Sequence, residues 1–423
     1  MTPFQLAAIL MTLVALATWL NSRLLRLPQG VAMLFVGLFG AALLAVLQRL
    51  LPEFALFRQI EEMINGIDFA STVTGYMLAF LLFAGAMQVD LEEMRRRWMS
   101  IAALATLGVA ASIVIVGVGL WFIARVLHVP LPLPWALVFG ALISPTDPVA
   151  VLATVKHGKL SKTLQVILEG EALFNDGVGI VAFTALVAVA TGAGGSGPLT
   201  AVLTVFVEAL GGLALGMGAS WLVIRLMGTM DEFVTEVSLS IALAMGVYAG
   251  AQAVHLSGAI AVVGAGMLFG GKHGREAIMG ETEPYIKGFW TLVDEIMNAL
   301  LFLLLGVEML VVPFLIGQIG LLVAAIVLVL AARFVVVLPW GFYFHRWKAE
   351  SGATTILAWG GLHGALSLAL ALSLPPAPER TIILSITYAA VAFSIIMQGL
   401  TFGPVAKRLQ QSGRDKEHDH FSA

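Results

Sequence analysis

Residues 143–149 read ISPTDPV and lie inside an apolar segment that covers residues 133–155. Two prolines three residues apart each remove a backbone donor and clash with the preceding turn, so a helix should break in this stretch. The break frees carbonyl oxygens and places the Thr146 hydroxyl beside the Asp147 carboxylate. In a membrane, non-helical backbone is tolerated only where it is buried in protein or lines a wet cavity. The stretch therefore indicates a polar site on a broken helix or, alternatively, a simple proline kink capped by Asp147.

The composition of the 423 residues is that of a membrane protein, with 59% apolar and 12% charged residues. Soluble proteins average roughly 45–50% apolar and about 25% charged residues. The mean hydropathy of +0.96 points the same way. A net charge of −3 excludes a basic nucleic-acid-binding protein. Because the chain has no cysteine, disulfide frameworks, thiolate zinc sites and cysteine nucleophiles are excluded as well.

Apolar segments of membrane-spanning length recur along the whole chain. A bilayer core of about 30 Å requires roughly 20 apolar residues per helix. The sequence predicts an all-α polytopic membrane protein with thirteen transmembrane helices. The predicted segments cover residues 3–22, 29–49, 68–87, 99–127, 133–155, 164–191, 199–227, 235–254, 256–271, 287–311, 314–343, 353–374 and 381–406.

Basic residues divide unequally between the two ends of these segments. With the N-terminus outside, 18 of the 23 Lys and Arg residues fall on the cytoplasmic side, four fall on the outer side, and Arg333 lies within a segment. Cytoplasmic loops of membrane proteins carry such an excess. We therefore expect a multi-pass protein of the plasma (inner) membrane with a cytoplasmic C-terminus. Residues 409–423 form a polar tail that we expect to be disordered.

The sixth segment contains a second polar stretch, EGEALFNDG, at residues 169–177. Asp176 lies about 18 Å into its segment, and Asp147 lies about 14 Å into the fifth from the same side, at 1.5 Å per helical residue. The two carboxylates can therefore meet near the centre of the bilayer.

Three further polar side chains accompany Asp176 on this segment. Glu169 lies seven residues before it on the same helix face, while Glu171 and Asn175 form a neighbouring pair four residues apart. Carboxylates inside a membrane segment are costly unless water or cations reach them. The pattern indicates an ion pathway or, alternatively, a buried hydrogen-bond network that joins two helices.

The twelfth segment is interrupted by the stretch WGGLHG at residues 359–364. Its three glycines weaken the helix, and His363 lies about 15 Å deep. Matched interruptions in corresponding segments of two halves indicate a transporter site built from inverted repeats. The fifth and twelfth segments are seven apart, as two six-helix repeats joined by one linking helix require.

Other charges inside the segments allow more than one interpretation. Asp294, Glu295 and Asn298 lie on the tenth segment, where they could line a cytoplasmic approach for cations or form structural ion pairs. Arg333 requires a carboxylate partner in lipid, and a structural salt bridge is the favoured role.

An aspartate at this depth can bind either a proton or a small hard cation, which prefers oxygen ligands. The two compete for a single negative charge. If the loaded site can face either side of the membrane and the empty, ionised site cannot cross, proton and cation must exchange. The residues therefore predict antiport.

Four stretches together resemble the NhaP/NHE-type sodium/proton antiporters. They are SPTDP at residues 144–148, EALFNDG at residues 171–177, residues 289–306 from FW to LFLLLG, and WGGL at residues 359–362. The resemblance covers about residues 5–408. It implies a thirteen-helix, NhaA-like fold with inverted repeats and two broken, crossing helices, in a homodimer that serves pH homeostasis without a cofactor. It also implies a scaffold of residues 1–98 and 235–311, a core of residues 99–191 and 314–408, and a linking helix at residues 199–227.

By the same resemblance, Asp176 is the carboxylate that binds the cation and the proton. Thr146 and Asp147 would help to coordinate Na⁺ transiently, with Li⁺ or K⁺ as other possible cations. An asparagine at Asn175, where other relatives have a second aspartate, is similar to the electroneutral exchangers and implies one cation per proton.

Three positions depart from the family pattern. Ala172 stands where many relatives have serine, Ala84 stands where some have glutamate, and His363 replaces an intramembrane arginine. Because histidine can lose its proton near neutral pH, we expect that coupling between His363 and Glu171 alters the pH dependence of transport. The alternative is a neutral histidine in a core hydrogen bond.

Two other functions are alternatives to antiport. A passive cation channel is disfavoured because the sequence has no filter-like carbonyl motif. An intramembrane hydrolase could use two aspartates as an acid and base pair, but prolines on both sides of Asp147 suit a ligand site better. His-Glu-x-x-His, Gly-x-Ser-x-Gly and P-loop motifs are absent from the sequence, so ATP-driven transport within this chain is excluded and the protein is not expected to be an enzyme.

Overall fold

The computed structural model describes nine stretches of the chain, residues 3–50, 72–89, 91–147, 160–192, 198–229, 232–277, 282–308, 319–348 and 352–409. Within them the secondary structure is helical apart from one isolated β-bridge. The helices are α1 Pro3–Leu20, α2 Gln29–Leu50, α3 Leu78–Gln88, α4 Leu91–Val126, α5 Leu133–Ile143, α6 Lys162–Ala190, α7 Pro198–Met227, α8 Phe233–Ala253, α9 Gly258–Gly270, α10 Lys272–Ala277, α11 Glu283–Glu308, α12 Ile319–Lys348, α13 Ala353–Trp359, α14 Ala365–Leu372 and α15 Arg380–Leu409.

Wider π-helical turns interrupt or extend several of these helices. They cover Asn21–Leu25 after α1, Thr72–Met77 before α3, Leu104–Gly108 within α4 and Ser394–Gln398 within α15. Such turns shift the direction of side chains without ending the helix.

The protein is an all-helical polytopic membrane protein. Eight of the described helices are long and apolar enough to cross a membrane, and four shorter apolar helices accompany them. Helices occupy part of every predicted segment, but length and composition identify eight spans, so thirteen crossings stay a prediction. The predicted tail beyond Leu409 and residues 148–155 of the fifth segment lie outside the described residues.

Helix boundaries follow the local chemistry of the chain. The hydroxyl of Ser161 accepts a hydrogen bond from the Leu164 N–H at 3.3 Å and caps the start of α6. The α4 helix begins at Leu91, eight residues before the predicted segment, because a polar first stretch continues the helix beyond its apolar part. Glu93 pairs there with Arg96 at 3.7 Å and Arg97 at 3.4 Å.

Small residues allow the helices to approach closely. A Cβ atom at Gly306 of α11 would lie 3.0 Å from the Cα of Gly37 on α2, and one at Gly212 of α7 would lie 2.6 Å from the carbonyl oxygen of Ser257. Helices in membranes associate through such contacts because lipid provides no hydrophobic driving force between them.

The buried apolar side chains form two cores. One contains residues such as Phe139, Leu305 and Ile383, and the other contains residues such as Phe83 and Trp290. Ile180 of α6 and Leu366 of α14 pack against both cores. The polar residues of the predicted site therefore lie between the two cores.

Candidate functional site: a cavity at the crossing of two broken helices

Two extended segments cross between the apolar cores. The α5 helix ends at Ile143, before the first proline, and α13 and α14 are separated by residues 360–364. The Asp147 N–H donates to the Leu362 carbonyl oxygen at 2.7 Å, which forms the isolated antiparallel bridge of the described chain. This bridge satisfies backbone groups that the two breaks leave without helical partners.

The carboxylate of Asp147 lies against the start of α14. A Cβ atom at Gly364, which precedes this helix, would lie 2.8 Å from the Cβ and 3.0 Å from the carboxyl carbon of Asp147. Only glycine allows this approach. The first N–H groups of a helix lack intrahelical partners and favour negative charge. The start of α14 therefore stabilises the Asp147 carboxylate.

Asp176 of α6 lines a cavity of about 450 Å³ together with Thr146 and Asp147. The side chain of Asp176 is half-buried, and its carboxylate lies close enough to Asp147 for the two to repel each other. The structure therefore brings together three of the predicted cation-binding residues in one cavity.

The cavity continues from Asp176 along one face of α6. Lys162, Gln165, Glu169 and Ala172 line it at alternating intervals of three and four residues, which extends over about 21 Å of helix at 1.5 Å per residue. The Gln165 amide donates to Glu169 at 2.7 Å. This face of α6 connects Asp176 with the N-terminal end of the helix at Lys162.

Asn175 is turned away from this cavity and holds Thr146. Its Nδ2 donates to the Thr146 hydroxyl at 2.8 Å, and its Oδ1 accepts the Thr146 N–H at 3.4 Å. Both side chains are buried, and Asn175 is not among the residues that line the cavity. An ionised aspartate has no N–H to donate to the hydroxyl. The asparagine therefore positions Thr146, whereas its predicted role as a direct ligand stays a prediction.

Arg333 of α12 forms a buried ion pair with Glu171. Its guanidinium donates to both carboxylate oxygens, at 2.9 Å for the bond from Nη2 to Oε2, and Nη2 also donates to the Leu357 carbonyl oxygen at 3.2 Å. The structural salt bridge predicted for Arg333 is confirmed. A bidentate pair of this kind fixes the orientation of both side chains, so it joins α6, α12 and α13.

No hydrogen bond joins His363 to Glu171 within the described residues, and the predicted effect of their coupling on the pH dependence of transport stays a prediction. Both oxygens of Glu171 accept from Arg333, while His363 Nδ1 lies 3.3 Å from the Pro145 carbonyl oxygen. The backbone N–H of His363 donates to Ser394 at 2.8 Å. The histidine thus joins the two extended segments. It is buried and lines, with Glu171 and Arg333, a separate small void of about 10 Å³.

The acidic group on α11 divides into two faces. Asp294 and Asn298 line the main cavity, and the Asn298 amide donates to Asp294 at 2.9 Å. Glu295 is exposed and is not among the lining residues, so its predicted place in the cytoplasmic approach stays a prediction. Helical geometry explains the two faces, because residues four apart share a face whereas adjacent residues do not.

The sequence matches the family described as "Sodium/hydrogen exchanger, transmembrane" over residues 9–408. The chain belongs to this family. The resemblance found in the sequence motifs is therefore confirmed.

Relatives and a solved structure agree with this assignment. The chain is similar to the Na⁺/H⁺ antiporter NhaP of Pseudomonas aeruginosa, with 38% identity over 96% of both chains. It is also similar to the Na⁺/H⁺ antiporter NhaH of Halobacillus aidingensis, with 34% identity over 96% of both chains. The sodium proton antiporter MjNhaP1 of Methanocaldococcus jannaschii has the same fold, with a TM-score of 0.72 over 96% of this chain and 99% of that chain, at 19% identity.

Several lining residues of this exchanger-family member were not singled out in the sequence. Lys162 and Gln165 share the helical spacing of Glu169 and Asp176, so extension of that pattern toward the start of α6 would have found them. Gln88 and Ser367 also line the cavity. They lie on other helices, and neither residue belongs to a motif identified in the sequence.

Proposed function

We propose that the protein exchanges a monovalent cation, Na⁺ in the first instance, for protons across the membrane. The observation that carries this proposal is the single cavity that Asp176, Asp147 and Thr146 share at the crossing of the two extended segments. The relatives named above are Na⁺/H⁺ antiporters, which favours exchange over a passive channel or an intramembrane hydrolase.

In the proposed mechanism, proton and cation compete for the Asp176 carboxylate. A bound Na⁺ would be coordinated by Asp176, by the Thr146 hydroxyl and by Asp147, whose negative charge the start of α14 stabilises. The loaded site carries the same charge with either occupant, whereas empty Asp176 adds a bare negative charge. A bare carboxylate at the centre of a membrane helix costs about 2.5–3.5 kcal/mol on insertion scales, which opposes movement of the empty site. Exchange of one cation for one proton is electroneutral.

The moving part is proposed to be a core of residues 99–191 and 314–408. Contacts within this group tie the site together, namely the bridge between Asp147 and Leu362, the hydrogen bonds between Asn175 and Thr146, and the Arg333–Glu171 ion pair. The facing wall of the cavity comes from α3 and α11, which belong to the proposed scaffold of residues 1–98 and 235–311. Elevator-like movement of the core against this scaffold, with residues 199–227 as the linking helix, would open the cavity to each side in turn.

The proposed orientation in the membrane rests on the distribution of basic residues, and the proposed homodimer rests on the family resemblance. We infer a homodimer in the plasma (inner) membrane with the N-terminus outside and the C-terminus in the cytoplasm. The end of the cavity at Lys162 would then open to the cytoplasm.

Competition gives the most direct test of this function. In vesicles that contain the purified protein and an imposed pH gradient, added Na⁺ should drive protons out of the acidic interior. The Na⁺ concentration for half-maximal exchange should rise as the pH falls, approaching about tenfold per pH unit once one proton occupies the site. Fluorescence of a pH-sensitive dye measures both effects.

Two results would contradict this function. A Na⁺ requirement that is independent of pH would exclude competition for one carboxylate. Proton movement that changes severalfold when the membrane potential is clamped with K⁺ and valinomycin would exclude electroneutral exchange and favour a conducting pathway.

Substitution of Gly364 by alanine tests the contact between Asp147 and the start of α14. The added methyl group would lie 2.8 Å from the Asp147 Cβ atom, so the carboxylate must move away from the cavity wall. A misplacement of about 1 Å in a functional site can cost 10²-fold in rate, and we expect exchange to fall at least tenfold. Gly246→Ala is the matched control because nothing lies within 4 Å of its added methyl group. Equal exchange by the two variants would show that the contact is dispensable.

A further inference from the structure

Ser367 carries a buried hydroxyl group that has no role in the exchange mechanism proposed above. It lies in the first turn of α14 and lines the cavity that contains Asp176 and Thr146. The residue is 1% exposed, and its Oγ has no hydrogen-bond partner among the described residues. Removal of a hydroxyl from water without a hydrogen-bond partner costs free energy. A ligand bound in the cavity could offset this cost.

Several other serines of the membrane helices bond to their own helix backbone, whereas Ser220 of α7, which does not line the cavity, is buried without a partner among the described residues, as Ser367 is. A serine within a helix commonly donates to the carbonyl oxygen three or four residues earlier. Ser144, Ser373 and Ser385 form such bonds at 2.6 Å, 2.8 Å and 2.9 Å. Ser367 forms no such bond within the described residues.

Ser367 lies about one helical turn beyond the glycine that contacts Asp147. It follows Gly364, which contacts Asp147, by three residues. Residues three apart on a helix lie on the same face, separated by about 4.5 Å along the axis. Ser367 is therefore the next polar position after Asp147 along this wall of the cavity.

The cavity also has room for a further oxygen ligand. Hard cations are bound by several oxygen atoms, often with neutral oxygens beside the carboxylates. Ala172, which lines the cavity between Glu169 and Asp176, offers no side-chain oxygen. The Thr146 hydroxyl already accepts a hydrogen bond from Asn175.

We propose that Ser367 is a further ligand of the transported cation, with its hydroxyl oxygen completing a site formed by Asp176, Asp147 and Thr146. This inference rests on the proposed function. Because a serine hydroxyl does not ionise at physiological pH, Ser367 contributes to cation affinity and to the choice among Li⁺, Na⁺ and K⁺, but not to proton binding.

The test compares the parent with Ser367→Ala in vesicles at a pH where protons compete weakly. We expect the Na⁺ concentration for half-maximal exchange to rise about five- to tenfold, which corresponds to loss of one ligand worth about 1–1.4 kcal/mol. The ratio of half-maximal concentrations among Li⁺, Na⁺ and K⁺ should change as well. At saturating Na⁺, the pH dependence of exchange should match that of the parent.

Ser385→Ala is the matched control, because it removes an equally buried hydroxyl that bonds to the Thr381 carbonyl oxygen. A second measurement reports on binding without transport. Ser367→Ala should unfold thermally at or above the temperature of the parent in Na⁺-free buffer, but Na⁺ should stabilise it less than the parent, since ligand stabilisation depends on affinity.

The possible outcomes separate this inference from the function on which it rests. If the parent exchanges Na⁺ and Ser367→Ala has the same half-maximal concentration, cation order and Na⁺ stabilisation, the ligand role is excluded and the exchange function stands. If the parent shows no exchange, both fall. An equal loss of Na⁺ affinity in Ser385→Ala would assign the effect to packing and overturn the ligand role.

Discussion

Replacement of Asp176 by asparagine should abolish Na⁺-driven proton movement while the protein stays folded. The amide has nearly the shape of the carboxylate, so packing of α6 against its neighbours should persist. It can neither bind a proton at physiological pH nor supply a negative charge to a cation. Because the proposed mechanism passes both ions through this one group, exchange should fall at least about 100-fold, to the level of empty vesicles.

A matched control tests whether the loss of exchange is specific to Asp176 or follows from removal of any carboxylate in a membrane helix. Glu295→Gln makes the same change from acid to amide on α11, where the side chain is exposed and lies outside the cavity. Its exchange rate should stay within about twofold of the parent, as expected for a surface position. Dye fluorescence in vesicles with equal amounts of each protein gives the comparison. If Asp176→Asn retained more than about a tenth of the parent exchange rate, Asp176 would not be the essential ion-binding carboxylate, and Asp147 would be assigned that role.

The breaks in the helices could be predicted from the sequence because their causes are local. Proline removes a backbone donor at a known position, and clustered glycines weaken a helix wherever they occur. The described chain has non-helical backbone at both predicted stretches, beside Pro145 and at residues 360–364. The helical period likewise placed Glu169 and Asp176 on one face of α6.

Partners that are distant in sequence could not be predicted in the same way. Arg333 and Glu171 are separated by 162 residues, and nothing in the apolar periodicity of α12 indicates which acidic residue it reaches. The family resemblance directed attention to His363 as the residue coupled to Glu171, whereas the structure shows Arg333 as the ion-pair partner of Glu171. Asn175 shows a related difficulty, because a polar residue beside Asp176 can face the cavity or face Thr146, and only the packing of α5 against α6 decides between them.

Disruption of the Arg333–Glu171 ion pair should have the largest effect on folding. Arg333→Met keeps most of the apolar length of the side chain but leaves the buried Glu171 carboxylate without its cation. Removal of one partner of a buried pair typically destabilises a protein by 3–5 kcal/mol, about the whole stability of many domains. We expect little folded Arg333→Met protein in detergent, and a large decrease in the denaturant concentration at which the remainder unfolds.

The double substitution Arg333→Met with Glu171→Leu should recover most of this loss, because well-packed apolar residues can replace a buried ion pair at little cost. Arg96→Met is the surface control. Arg96 pairs with Glu93 at 3.7 Å but its side chain is 73% exposed, and exposed pairs contribute about 0–1 kcal/mol. Denaturant titration of the four proteins, followed by tryptophan fluorescence, measures the differences. If Arg333→Met unfolded at the same denaturant concentration as Arg96→Met, the ion pair would contribute little to the joining of α6 to α12, and the other contacts of the core would have to hold it together.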